Sequence, residues 1–190
     1  MPGQVNLSLS KSLHLAFHKV KTLEVYYSWV VCLIEPSKCV IKERDSLKLG
    51  IMCGMPLSGK STYCKILQSQ GWVRVSLDDL RLALHGEIYK AEAEPLVWES
   101  AELMVRTLLK SGHNVIVDTT NRTRDRRKRW IRVAKEFGIT LKIYYVDTAY
   151  ETCKERNKSE KRLSQDVLKQ IYKEFQTPTS DEGKIFKVND

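Results

Sequence analysis

Three groups of residues in this chain have the types and spacing to act on a phosphate. The first, Gly54-Met55-Pro56-Leu57-Ser58-Gly59-Lys60-Ser61, fits the pattern GxxxxGK[ST]. Glycines at its bends let the backbone curl so that successive N–H groups converge on phosphate oxygens. A helix starting at the lysine presents its positive dipole end to the same anion. In such a loop Lys60 reaches the β- and γ-phosphates and the Ser61 hydroxyl ligates Mg2+. Gly54, Ser58, Gly59, Lys60, Ser61 and Thr62 are therefore the expected ATP-binding set. At ordinary glycine usage a chain of this length would match the pattern by chance far less than about once in a hundred.

The second group is Ser76-Leu77-Asp78-Asp79-Leu80-Arg81. Beyond the carboxyl end of a parallel strand, Asp78 can accept the proton of an attacking hydroxyl. Arg81, on the same helical face, can hold a phosphate or polarise the acceptor. A plainer reading makes Asp78 a helix N-cap and Asp79 a first-turn acid. The third is Asp118, after Val115-Ile116-Val117, where a carboxylate would meet Mg2+ directly or through water. A strand-terminating aspartate is the plainer alternative.

Cations gather in two places. Arg122, Arg124, Arg126, Arg127, Lys128, Arg129 and Arg132 crowd the start of one predicted helix, where they oppose its dipole. An anionic acceptor would offset that cost, and Arg126 and Arg127 are the expected substrate contacts. Lys154, Arg156, Lys158, Lys161 and Arg162 form a second group, a candidate lid over a transferring phosphoryl. Solvated helix faces would look the same.

The elements that must position these groups alternate. Short apolar runs at 47–53, 72–75, 115–117, 141–146 and 185–188 read as strands. Helical periods run over 60–70, with Tyr63, Ile66 and Leu67 inward, and over 94–110. Others surround Trp130, Ala134 and Phe137, and Val167, Leu168, Ile171 and Phe175. This alternation predicts a mostly parallel sheet covered on both faces. Residues 1–45 show no sustained period, so the expected organisation is an N-terminal extension followed by a domain over 46–190.

The formal net charge is +9, which suits a nucleic acid or a phosphorylated partner. The five cysteines, with no CxxC spacing, signal neither a disulfide framework nor a zinc site. Val25 to Ile34 is too short to span a bilayer, and no signal-peptide pattern opens the chain. A cytoplasmic protein without a membrane partner is expected.

Over roughly residues 48–175 the chain resembles the kinase domain of phage-type polynucleotide kinase and its wider family of small P-loop kinases. The resemblance rests on the phosphate loop and on Ser76-Leu77-Asp78-Asp79-Leu80-Arg81. It also rests on Glu94-Pro95-Leu96-Val97, Val117-Asp118-Thr119-Thr120-Asn121 with Arg126-Arg127 and Trp130, and Glu155-Arg156-Asn157. It implies a P-loop NTPase αβα sandwich and transfer of the ATP γ-phosphoryl group to a hydroxyl, most simply a polynucleotide or nucleoside 5′-hydroxyl. By that resemblance Asp78 is the general base, Arg81 the acceptor-side arginine and Arg156 a lid arginine. The family pattern has another arginine four residues later, where this chain has Glu160. A kinase for a small metabolite or antibiotic, and a non-catalytic ATP-dependent nucleic-acid-binding module, are the rival readings.

Overall fold

The computed structural model describes residues 47–160 and 163–188. The expected extension over 1–45, with Cys32 and Cys39, lies outside the described residues, as do Lys161 and Arg162. Five strands, β1 (Leu49–Gly54), β2 (Val73–Ser76), β3 (Val115–Asp118), β4 (Lys142–Val146) and β5 (Lys184–Val188), form one sheet in the order β2-β3-β1-β4-β5. Every pairing among them is parallel. Among the described residues six α-helices connect or flank them: α1 (Lys60–Ser69), α2 (Leu77–His85), α3 (Glu94–Lys110), α4 (Arg124–Glu136), α5 (Tyr150–Glu160) and α6 (Gln165–Glu174).

Side chains alternate across a strand, and β1 shows how that divides the core. Leu49, Ile51 and Cys53 pack on one face with Val97, Ala101 and Val105 of α3 and Trp130 and Val133 of α4. Met52, on the other face, packs with Cys64 and Leu67 of α1, Ile116, Tyr144 and Val146. A third cluster joins Met55 of the loop to Cys153 of α5 and Leu168 of α6. Cys53 and Cys64 are core residues. Burial pushes their thiols up, to about 11 and about 12.

Ile66, expected inward, and Val167, on the apolar face of the last helix, are not in the core. Ile66 is 48% exposed and Val167 is 43% exposed. Both line the large cavity described below, so their apolar character serves its wall and not the sheet.

All five strands run the same way, so their carboxyl ends, with the loops that follow, open on one crevice. Asn121 ties that crevice together. In a left-handed conformation (φ 44°), its Nδ2 donates to the Met52 carbonyl at 2.7 Å and its Oδ1 accepts from Trp130 Nε1 at 3.1 Å. The Gly54 amide donates to the Thr120 carbonyl at 3.1 Å. The ends of β1 and β3 and the body of α4 are thereby fixed to one another.

Candidate active site

Between β1 and α1 the chain makes the loop that the motif requires. A Cβ on Gly54 would lie 2.7 Å from the Val146 carbonyl oxygen and 2.9 Å from Ser58 Oγ. Gly59 has φ 95°, which favours glycine. Lys60 is buried, and its ammonium donates to the Met55 carbonyl at 2.5 Å, inside the loop's own curl. Burial lowers its pKa against the opposing pull of Asp118 and Asp78. Ser58 Oγ is buried with no hydrogen-bond partner among the described residues. A curl with no room for a side chain, a buried ammonium and an orphaned hydroxyl fit a phosphate chain. Ser61 and Thr62 are exposed at the start of α1.

The loop opens on a cavity of about 1010 Å³. Asp78, Arg81, Glu94, Asp118, Arg122, Arg126 and Arg156 share this cavity with Lys60 and Ser61. The sequence places these groups up to about a hundred residues apart, and the parallel sheet gathers them.

Asp78 is not a helix cap. Ser76 takes that role, its Oγ accepting from the Asp79 amide at 3.1 Å. Asp78 lies in the first turn of α2, and its Oδ1 accepts from Arg81 Nη1 at 2.7 Å. Arg81 makes a second, bidentate pair with Glu94, from Nε at 2.6 Å and Nη2 at 2.9 Å. Trp98 Nε1 also donates to Glu94, at 3.2 Å. Burial disfavours the Arg81 charge, but Glu94 and Asp78 more than offset it and raise its pKa. Arg81 is thus clamped by two carboxylates.

Asp118 is buried at the end of β3, and its Oδ2 accepts from Arg74 of β2, Nε at 2.8 Å and Nη2 at 2.7 Å. Arg74 also pairs with Asp79 at 2.7 Å. The oxygens of Ser61 and Asp118 suit a hard cation, with one Asp118 oxygen already committed to Arg74.

The first basic cluster divides, and one expected contact is overturned. Arg127 is 1% exposed and turned away from the cavity. It pairs bidentately with Glu182 at 2.6 and 3.0 Å and donates to the Asn121 and Gln176 carbonyls. It is an internal strut, because a guanidinium at this helical position points into the core. Arg124 pairs with Asp181, Lys128 with Asp125, and Arg129 with Glu99 and Glu102. Arg132 lies 3.6 Å from Glu102.

Arg122 and Arg126 remain at the cavity. Arg122 pairs with Glu174 at 3.0 Å, yet its buried Nε has no hydrogen-bond partner among the described residues. Arg126 lies over the Trp98 ring at 5.5 Å and has no ion pair among the described residues. Burial, then the Arg122 charge, lower its pKa.

From α5, Arg156 Nη1 donates to the Leu57 carbonyl at 3.1 Å, bringing the expected lid arginine onto the phosphate loop. Glu160 also lines the cavity. The functional neighbours that sequence reasoning missed are Arg74, Glu94 and Trp98. Glu94 stood in a recognised motif, but nothing in its spacing disclosed Arg81 as its partner.

A family model described as an AAA domain matches residues 49–178. The chain belongs to that family. With its parallel sheet and phosphate loop it is a P-loop kinase domain, and the relatives agree. The bifunctional polynucleotide phosphatase/kinase of Schizosaccharomyces pombe is 28% identical over 149 residues, covering 75% of this chain and 33% of that protein. The L-seryl-tRNA(Sec) kinase of Methanococcus maripaludis is 25% identical over 134 residues, covering 67% of this chain and 52% of that protein. This chain therefore spans between a third and about half of these curated relatives. Among solved structures, a chain of the Pnkp1/Rnl/Hen1 RNA repair complex superposes with a TM-score of 0.60 at 25% identity, covering 67% of this chain and 43% of that one. No helix among the described residues is long and apolar enough to cross a membrane.

Proposed function

We propose that this P-loop kinase domain transfers the γ-phosphoryl group of ATP to the 5′-hydroxyl of a polynucleotide or nucleoside in the cytoplasm. The observation that carries this reading is the shared cavity. It holds the phosphate loop, a carboxylate at Asp78, and a group of three arginines, Arg81, Arg122 and Arg126, of which Arg122 keeps a buried Nε without a partner among the described residues. A hydroxyl acceptor needs the carboxylate, and a phosphate-bearing acceptor needs the arginines.

In this mechanism Lys60 and the loop amides hold the β- and γ-phosphates. The acceptor oxygen bonds to the γ-phosphorus as the bond to the β–γ bridging oxygen breaks, and Asp78 takes the acceptor proton. ADP leaves with the electron pair of the broken bond. Arg156, already at the loop, stabilises charge on the transferring group. Ser61 and Asp118 would hold Mg2+, which supplies neutralisation of phosphate charge. Clamped by Asp78 and Glu94, Arg81 orients the base, while Arg122 and Arg126 bind the first phosphate of a polynucleotide acceptor.

Transfer from γ-labelled ATP to a panel of 5′-hydroxyl oligonucleotides, nucleosides and small alcohols tests the proposal. Label on oligonucleotides or nucleosides is expected. Label confined to small alcohols would establish the metabolite-kinase reading instead. Tight ATP binding with no transfer to any acceptor would mean a non-catalytic module.

A further inference from the structure

Lys48, Lys142 and Lys184 stand together at the end of the sheet opposite the catalytic cavity. Lys142 opens β4 and is in register with Lys184, which opens β5, and with Gly50 of β1. Lys48 immediately precedes β1. Val146, at the far end of β4, lines the cavity, so the lysines and the cavity are separated by about 13 Å along that strand.

Like charges facing one another on neighbouring strands destabilise a sheet. Here no carboxylate offsets them, because none of the three lysines has an ion pair among the described residues. Lys187, also on β5 but of opposite parity, does pair with Asp147, at 2.8 Å. Two of the three cations rest on rings instead, and Lys48 lies close enough to Lys142 to lower its pKa. Lys142 Nζ lies 5.9 Å from the Trp72 centroid and 5.6 Å from that of Phe186, and Lys184 Nζ lies 5.4 Å from Phe186.

The rings are fixed. Tyr144 stacks on Phe186 at 5.3 Å and meets Trp72 edge-on at 6.1 Å. Gly50 leaves them room, since a Cβ there would lie 2.9 Å from the Tyr144 ring and 3.2 Å from Trp72. Burial, then the charges of Lys48 and Lys184, lower the pKa of Lys142, and a bound anion would oppose the repulsion between these charges.

Guarding an exposed edge accounts for Lys184 on the outer strand. It does not account for Lys142 on an inner strand or Lys48 beside the central one. Lys142 and Lys184, in register on strands about 4.8 Å apart, with Lys48 two residues before the β1 position that pairs with Lys142, suit a repeating anion better than an enclosed single one.

We propose that Lys48, Lys142 and Lys184 form a second anion site, which takes the phosphodiester backbone of single-stranded nucleic acid away from the catalytic cavity. The site stands whichever hydroxyl is phosphorylated.

The test is fluorescence-anisotropy binding of a 5′-phosphorylated, labelled 20-mer of thymidine, which cannot accept a phosphoryl group at its 5′ end, between 50 and 200 mM salt. Replacing three phosphate contacts in the combined variant Lys48→Gln, Lys142→Gln, Lys184→Gln should reduce the log–log salt slope by about 2. Across that fourfold salt range, the loss of affinity should shrink by roughly 16-fold. The melting shift induced by MgATP should be unchanged. Lys142→Gln alone, which removes one contact from an otherwise intact sheet, should reduce the slope by about 0.7.

Wild-type protein that does not bind the 20-mer, or variants with an unchanged slope, would overturn the site. If wild type binds and the variants lose slope, but no 5′-hydroxyl acceptor is phosphorylated, this site stands and the proposed reaction fails.

Discussion

At the loop end of the cavity, the proposed ligand contacts come from backbone amides and from Lys60, whose position is set by a strand-to-helix turn that tolerates no side chain at Gly54. At the arginine end they come from long side chains held by carboxylates: Arg81 by Asp78 and Glu94, and Arg122 by Glu174. The first kind of site is specified within eight consecutive residues, is rigid, and suits a ligand that is always the same. The second is assembled from three separate helices and the loop after β3, and replacing a few side chains could re-aim it. An invariant donor and a variable acceptor are what these two constructions suit.

The sharpest way to break this contrast is Lys60→Ala. Transfer should be abolished with the melting curve near wild type, since Lys60 acts on phosphate more than on packing. Measurable turnover in that variant would remove the loop from the reaction. Next, Asp78→Asn should slow turnover by roughly 10²–10⁴-fold with ATP affinity little changed. Because Ser76 is the cap, stability should also change little, and a large loss of stability at an unchanged rate would mean that Asp78 only anchors Arg81.

Adjacent arginines then separate structure from recognition. Arg127→Gln leaves Glu182 buried without its partner and should cost about 3–5 kcal/mol of stability, read by denaturant titration. The acceptor KM of the folded fraction should stay unaltered. Burial would raise the Glu182 pKa, but the Arg127 and Thr179 contacts lower it below 4.5. Its contribution is therefore present above that pH and is lost as the pH falls through the lower native value. The variant should show a flatter acid limb than wild type.

Arg126→Gln should instead raise the acceptor KM roughly tenfold, about 1.5 kcal/mol for one charge-assisted hydrogen bond, with stability and ATP binding unchanged. The smallest effect is expected from deleting residues 1–45. Every group assigned to the reaction lies downstream, so ATP binding by isothermal titration should match that of the full chain. Aggregation of the shortened protein would move the domain boundary upstream of residue 46.

The phosphate loop was legible in the sequence because its chemistry is local: spacing alone fixes which backbone groups converge. The alternation of strands and helices was legible for the same reason, and so was the placement of Asp78 just beyond β2 and of Asp118 at the end of β3. Arg127 was not. Arg126 and Arg127 are consecutive cations in one helix, and only the helix's rotation against β1 decides that one reaches the cavity and the other reaches Glu182, 55 residues away. Ile66 and Val167 misled in the opposite direction, since an apolar residue at helical spacing looks alike whether it faces a core or a cavity wall. Arg74 gave no signal either. Its partner Asp118 lies 44 residues on, and the pairing exists because β2 and β3 are neighbours in the sheet.

The bonds around Asn121 have a further consequence for how the protein opens. The Gly54 amide, at the mouth of the cavity, donates to the Thr120 carbonyl, and Asn121 locks that corner to Met52 and Trp130. A loop amide beside a ligand site would ordinarily exchange with solvent through small local fluctuations. Here exchange at Gly54 requires β1 and β3 to part, so its protection should approach that of the central strands. The phosphate loop thus combines a surface position at its tip with the exchange behaviour of the core at its root.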